Sequence, residues 1–505
     1  MSRARTTTRI PTIALPLLLA ACQQAGFGEA PKAPPRNDEA YGAVVENDFA
    51  AVSAWPISTL GLDVDTASYQ NVRDLLRRGQ LPPADAVRVE EFVNAFPSRV
   101  ASTDGDEVLA VAHELQPCPW QPEHWLLRVA VRAKDASAEQ VAAPARLVFL
   151  IDVSGSMSEP DKLSLVQRGL AVLIDALQPQ DRVAIVTYGD RAEVAVADAT
   201  AADKERLHSV VSGLRAGGST NGAEGLRTAC KIAAAMPGAG PRRVVLVTDG
   251  DFNVGDSSPE ALGKLLASAK GPDTFLTAVG CGRGNLKATN LAAVAKAGDG
   301  SFHYLDGMAE AKRLFGARFA GPLSCVARDV KVQVEFNPAN VASWRLLGYE
   351  DRVLAPRDLA DASKDGGEVG AGQTVVALYE LVGKGAVANG GVALRYGSGA
   401  QQGGVHLDEV AQIAVAYRPV AGDGAPRQRR VVVPAGPKAP SPSHDFLVSS
   451  TAAAFALQLR NSRFRGELDW AKLVRMTDRL DHADVQQHEL AELVATAERL
   501  SRSSD

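Results

Sequence analysis

From Leu147 to Ile151 the chain runs through five apolar residues without polar alternation, LVFLI, and then turns acidic and hydroxylic in DVSGSM. An unalternated apolar run of this length predicts a strand buried on both faces, as in the middle of a parallel sheet. Downstream, such runs alternate with apolar positions at helical spacing. Leu163, Val166, Leu170, Leu173, Ile174 and Leu177 mark the sheet-facing side of a helix. Strands are predicted at Arg182–Tyr188, Ala192–Ala197 (a short edge), Arg243–Thr248, Thr274–Gly280 and Ser301–Leu305. Helices are predicted at Asp203–Leu214, Ala223–Met236, Pro259–Ala269, Leu286–Ala297 and Met308–Phe319. The alternation predicts an α/β fold over 145–320, a doubly wound, mostly parallel sheet.

The flanks carry other patterns. In 51–144, helices are predicted at Tyr69–Arg78 and Val87–Phe96 and a strand at Leu126–Val131. In 321–505 the pattern is β-rich at Val330–Phe336, Thr374–Val382 and Val392–Tyr396, then helical over Asp445–Leu500, where Leu490, Leu493, Val494, Ala497 and Leu500 form an apolar stripe. Leu126–Val131 and the later strands are expected to form one sandwich, bringing the two flanks together. Gly397–Gly404 and Pro419–Arg430 read as loops, the second basic at Arg427, Arg429 and Arg430.

Composition narrows the picture. With 505 residues the chain is too long for one core, and 46% hydrophobic with 22% charged residues is ordinary for a globular protein. A net charge of −5 spread over this length gives no case for nucleic acid, because phosphate-binding surfaces need clustered Lys and Arg. Arg3, Arg5 and Arg9 precede the apolar segment Ile10–Ala21, which is too short to span a bilayer and has the form of a secretory signal. It ends Leu19-Ala20-Ala21-Cys22, which resembles a bacterial lipobox. That resemblance implies a signal peptide over 1–22, lipidation of Cys22 and a cell-envelope location. Gln23 after the cysteine favours the outer membrane if the organism is Gram-negative. Residues 23–50, with Pro31, Pro34 and Pro35, are expected to be a flexible tether. Of the other cysteines, Cys230 and Cys281 read as buried thiols. A Cys118–Cys325 bridge would staple the two flanks, and all three connectivities stay open.

The chemistry gathers at the end of the first strand. Asp152, Ser154 and Ser156 follow at a spacing of two, at the sheet edge where ligands of such folds bind. One carboxylate and two hydroxyls suggest a hard cation. This D-x-S-x-S string, with Gly218-Ser219-Thr220-Asn221-Gly222 and Thr248-Asp249-Gly250 after it, resembles the metal-ion-dependent adhesion site of von Willebrand factor type A domains. The resemblance implies five parallel strands with one antiparallel edge, and Mg²⁺, or another divalent cation such as Mn²⁺ or Ca²⁺, held by Asp152, Ser154, Ser156, Thr220 and Asp249. It implies an open position completed by an acidic side chain of a protein partner. DVDTASYQNVR, LPPADAVRVEEFVNAF and HELQPCPWQPEHWLLRV before the centre, and DVKVQVEFNP and TVVALYELV after it, extend the resemblance to bacterial lipoproteins in which a type A domain sits between family-specific domains.

No general base is evident beside the metal residues, so no enzyme activity and no small-molecule substrate is expected. His208 and His303 read as ordinary histidines, Ser156 lacks the G-x-S-x-G context, and Asp251 and Asn253 are candidates to tune the site. Asp63-Val64-Asp65-Thr66 has the spelling of a phosphatase nucleophile loop but lacks the long apolar strand before it. Two alternatives stay open: a metal-assisted hydrolase acting on envelope material, and a scaffold with a vestigial site.

Overall fold

The computed structural model describes residues 39–62, 65–103, 107–135, 144–238, 240–250, 259–271, 273–316, 325–361, 364, 366–384, 408–420, 424–436 and 441–504. Cys22, the signal segment, Asp63, Asp251, Asn253 and the strand expected at Val392–Tyr396 lie outside these residues.

The first flank supplies β1 (Ala50–Ala51), β2 (Ile57–Gly61), α1 (Ala67–Arg77), α2 (Val89–Asn94), β3 (Leu109–Cys118) and β4 (Gln121–Ala133). The centre follows as β5 (Arg146–Asp152), α3 (Leu163–Ala176), β6 (Arg182–Tyr188), β7 (Ala192–Thr200), α4 (Lys204–Gly213), α5 (Gly222–Ala235), β8 (Arg242–Thr248), α6 (Pro259–Ala269), β9 (Thr274–Cys281), α7 (Ala288–Ala297), β10 (Phe302–Leu305) and α8 (Met308–Phe315). The second flank gives β11 (Cys325–Phe336), β12 (Val341–Leu347), β13 (Val353–Leu354), β14 (Val369–Gly370), β15 (Thr374–Gly383), β16 (Glu409–Pro419), β17 (Arg427–Pro434), α9 (His444–Leu459), α10 (Trp470–Thr477) and α11 (Val485–Ser504).

The central sheet has the order β10-β9-β8-β5-β6-β7, parallel throughout except for the antiparallel β6–β7 edge. Every residue of β5 is buried, because helices cover both faces. Leu147, Phe149 and Ile151 pack on the α3 and α8 side, Val148 and Leu150 on the α5 and α7 side. Burial of each such side chain contributes roughly 1.5–3 kcal/mol, which fixes the strand at the middle of the sheet and leaves Asp152 at its carboxyl end.

The flanks form one interleaved body around two further sheets. One has the order β1-β12-β15-β4-β3 and the other β13-β2-β11-β16-β17, with β14 paired to β11. Leu60, Leu127, Val129, Val332, Tyr379 and Ile413 meet in the core between them, a sandwich built from both ends of the chain. The expected domains 51–144 and 321–505 are thus not separable: β2 pairs with both β11 and β13. Helices α1, α2 and α9 to α11 cover the outer face of the first sheet, meeting Leu126, Ala130, Val376 and Leu378. Helix α9 is buried nearly all round from Val448 to Leu457, its serines and threonine included, and Ser443 caps it by accepting from the Phe446 amide at 3.1 Å.

Three sequence expectations are corrected here. The tether assigned to 23–50 is packed structure from Glu39 onward: the Ala40 amide donates to the Leu286 carbonyl at 2.9 Å, and Asn47 Nδ2 donates to the Leu346 and Gly348 carbonyls at 3.2 and 2.8 Å. The Cys118–Cys325 staple is absent; Cys118, Cys230, Cys281 and Cys325 are all buried free thiols, with Cys118 on β3 and Cys325 on β11 in different sheets. The basic loop expected at Pro419–Arg430 is instead, from Arg427 on, the edge strand β17, in which Arg430 faces solvent, Arg429 donates to the Leu109 carbonyl at 3.3 Å and Val433 enters the core.

Asp65, of the D-x-D-x-T string, is buried and accepts from the Phe302 amide at 2.6 Å. It joins the first flank to β10 and serves as a structural turn. A larger joint lies beside it. Arg73 of α1, 1% exposed, meets Asp306 at 2.6 Å and Glu310 at 2.8 Å in the centre, and Glu489 of α11 at 3.0 Å.

Candidate metal site

Three loops converge where β5 and β8 end. The first leaves β5 at Asp152, and Ser156 sits in a short 3₁₀ turn, Gly155–Ser158. The second, Gly217–Asn221, is laced onto the first through the backbone: the Gly155 amide donates to the Gly218 carbonyl at 3.0 Å and the Gly217 amide to the Val153 carbonyl at 2.8 Å. Gly218 is needed at this crossing, since its φ is +80° and a Cβ there would come within 2.6 Å of the Asp190 carboxylate. Asp190 in turn accepts from the Ser219 amide at 2.6 Å and hydroxyl at 2.7 Å, which holds its carboxyl below the usual range. Thr220 follows, half-buried, before Asn221 caps α5. The third loop leaves β8 at Thr248-Asp249-Gly250.

Asp152 and Asp249 are both 0% exposed and Ser154 is 1% exposed. Asp152 Oδ1 accepts from the Ser154 amide at 2.9 Å; Oδ2 accepts from the Tyr188 and Thr248 hydroxyls, each at 3.0 Å. Burial pushes the Asp152 carboxyl up to about 6 against those hydrogen bonds, and the Asp249 charge adds to the rise. The Ser154 and Ser156 hydroxyls lie 3.1 Å apart. Asp249 is held low: burial works against its charge, but Lys162, Asn285 and the Ser156 hydroxyl outweigh it. Lys162 Nζ is 2.8 Å from Asp249 Oδ2.

The structure thus draws Asp152, Ser154, Ser156 and Asp249 into one cluster and brings the Thr220 loop against it. The donor set is all oxygen, two carboxylates and neutral hydroxyls, and Asp152 is a buried acid whose hydrogen-bond donors are all uncharged. Those residues fit a hard divalent cation. Among the described residues no group of three or more His, Cys, Asp or Glu side chains could hold a metal ion, and this cluster brings together two carboxylates with hydroxyls beside them. His208 pairs with Asp175, and His303 with Ser301, away from these side chains.

Sequence reasoning missed Tyr188, Thr248 as a ligand-orienting hydroxyl, and above all Lys162. Tyr188 could have been found as the polar tip ending the strand beside β5. Lys162, within Pro160-Asp161-Lys162-Leu163, reads as a solvated helix start and gave no such signal.

Comparison with known proteins agrees with this architecture. The model described as von Willebrand factor type A domain matches residues 147–251, one described as von Willebrand factor matches 35–128, and one described as Uncharacterized protein YfbK, C-terminal, matches 321–500. A protein of Synechocystis sp., sll0103, is 29% identical over 194 residues, covering 38% of this chain and 45% of that one. Among solved structures, a von Willebrand factor type A protein of Catenulispora acidiphila covers 78% of this chain and 91% of its own at 16% identity (TM-score 0.42). Proximal thread matrix protein 1 of the mussel byssus, with a zinc-occupied MIDAS motif, covers 37% and 46% at 21% identity (TM-score 0.29). Type A domains commonly hold a divalent ion in that motif and often mediate protein interactions through it. YfbK of Escherichia coli is 34% identical over 455 residues, 88% of this chain and 78% of that protein. The chain belongs to the YfbK family of bacterial proteins with a von Willebrand factor type A domain.

Proposed function

We propose that this chain is a cell-envelope docking protein that binds a divalent cation through Asp152, Ser154, Ser156, Thr220 and Asp249, and uses it to grip an acidic side chain of a protein partner. The observation that supports this reading is the buried pair Asp152 and Asp249, set among neutral hydroxyls at the carboxyl edge of the sheet. When bound, the ion, Mg²⁺ by preference, supplies a Lewis-acidic site for a carboxylate. The chain's own groups do the rest. Tyr188, Thr248 and the Ser154 amide orient Asp152, and hydroxyls contribute oxygen without cancelling the ion's charge. Asp249 stays ionised below its ordinary range.

In this proposal Cys22 carries the lipid that holds the chain on the envelope, with the outer membrane favoured in a Gram-negative cell, and the protein acts by binding rather than by turnover. No described helix is long and apolar enough to cross a membrane. The test is retention of envelope proteins by the immobilised full chain in MgCl₂ and in EDTA, with Asp152→Asn as control. The expected outcome is a set of proteins retained by the wild type in MgCl₂, released by EDTA and absent from the variant. Retention of the same set in all conditions would remove the metal from the function.

A further inference from the structure

The cation cradle already holds a cation of its own. Lys162 stands at the start of α3, and the backbone fixes it there: its amide donates to the Glu159 carbonyl at 3.1 Å, and its carbonyl accepts from the Leu165 and Val166 amides at 3.0 Å. From this point the side chain lies flat across Gly282, just past the end of β9. A Cβ on Gly282 would come within 2.2 Å of Lys162 Cγ and 2.5 Å of Cε, and its φ of +77° also favours glycine. The backbone has been cleared to let the lysine stem pass. At the far end Nζ donates to Asp249 Oδ2 at 2.8 Å and to Asn285 Oδ1 at 3.1 Å, with the side chain 7% exposed. A stem buried along its length and an ammonium with two acceptors differ from a surface lysine that meets a carboxylate in passing.

The consequence follows from charge. Asp249 is one of the two carboxylates, with Asp152, that the described residues bring into the cradle, and the ammonium has engaged one of its oxygens. A divalent ion entering beside Asp152 meets a positive charge held in a water-poor pocket, where repulsion is screened little. We infer that Lys162 is a built-in counter-ion that competes with the metal for Asp249, so that the site takes up a divalent ion only when the ammonium gives up that carboxylate. Resting on the proposed metal site, this adds a regulating residue to it. Asn285 is placed to keep the displaced ammonium, since it already accepts from it.

The loop that carries Gly282 and Asn285 is also where the neighbouring flank touches the cradle. Arg283 bridges Asp161, beside Lys162, at 3.3 Å and Asp74 of α1 at 3.1 Å. The Gly284 amide donates to Glu39 at 3.0 Å, and the Tyr304 hydroxyl donates to the Gly282 carbonyl at 2.7 Å. Movement of Lys162 on ion uptake therefore bears on a loop shared with the first flank.

The test is calorimetric titration of MgCl₂, and separately MnCl₂, into the full chain and its Lys162→Met, Lys162→Gln and Lys162→Arg variants, with circular dichroism melts to confirm that each is folded. Met and Gln keep a stem without the charge; Arg keeps the charge. The neutral variants are expected to bind Mg²⁺ at least about tenfold more tightly than the wild type, and the arginine variant no more tightly. Wild-type binding with no gain in either neutral variant would overturn the inference and leave the metal site standing. Absence of binding in the wild type and all variants would overturn both. A gain shared equally by the arginine variant would show packing, not charge, as the cause, and would also overturn it.

Discussion

Arg73→Met is expected to destabilise the protein by about 3–5 kcal/mol, because it strips the shared cation from three carboxylates at a buried joint. Asp306 and Glu310 are 2% and 8% exposed and Glu489 is 18% exposed, so the charges left behind are poorly hydrated. Burial would lower the Arg73 affinity for its proton, but the hydrogen bond and charge of Asp306, with Glu489 and Glu310, more than reverse this. Arg77 also reaches Asp306 and Glu489, at 3.2 and 2.6 Å, and Arg313 pairs with Glu310, but Arg77 is half exposed and Arg313 partly so, and neither replaces the buried guanidinium shared by all three. The residues involved belong to α1, the loop before α8, α8 itself and α11, so the substitution loosens the docking of both flanks on the centre. Urea unfolding followed by tryptophan fluorescence measures this. A lowered midpoint with separated transitions is expected; a change under about 1 kcal/mol would mean that desolvation of the four groups already cancels their attraction.

Asp152→Asn is expected to stabilise the metal-free protein at neutral pH while removing its response to Mg²⁺. The Asp152 carboxyl is raised from 3.8 to about 6 in the folded chain, chiefly by burial. Between those values the folded state holds a proton that the unfolded state has released, so stability falls as pH rises from about 4 to about 6 and the loss is complete above it. Asparagine has no such charge, and its amide can face the Tyr188 and Thr248 hydroxyls, which can accept as well as donate. The gain expected at pH 7 in EDTA is about 1–3 kcal/mol, shrinking toward zero near pH 4. With MgCl₂ the order reverses, because only the wild type is stabilised by an ion that binds the folded chain. Thermal melts at pH 4.5 and pH 7, in EDTA and in MgCl₂, give the four numbers. A variant less stable than the wild type at pH 7 in EDTA would contradict this picture of a costly, cation-seeking carboxylate.

Much of the centre could be read from local pattern. LVFLI has no polar position because β5 has no exposed face, and the helical stripe from Leu163 to Leu177 is the buried side of α3 and its exit. The loops carrying Ser154, Ser156, Thr220 and Asp249 each follow a sheet strand or precede a helix cap, so their convergence follows from sheet order. The flanks were less legible because their pairing is remote: Leu60 sits opposite Val332, and no periodicity encodes a partner so distant. β3, β12, β16 and β17 were overlooked for a related reason. Their alternation is broken by polar residues that find partners only in the folded chain, such as Arg345 of β12, whose guanidinium meets Glu380 of β15 at 2.8 Å. Lys162 escaped for a third reason. Its role depends on a glycine 120 positions away that clears its path, a relation no local spacing carries.

In the proposed function Asp152 and Asp249 hold a divalent ion. The most direct test is calorimetric titration of MgCl₂ into the full chain and into an Asp152→Ala, Asp249→Ala double variant. Saturable uptake of a single ion by the wild type is expected, with a loss of about a hundredfold or more in affinity in the double variant. Wild-type affinity surviving in the double variant, or no uptake by the wild type at millimolar Mg²⁺, would contradict that proposal.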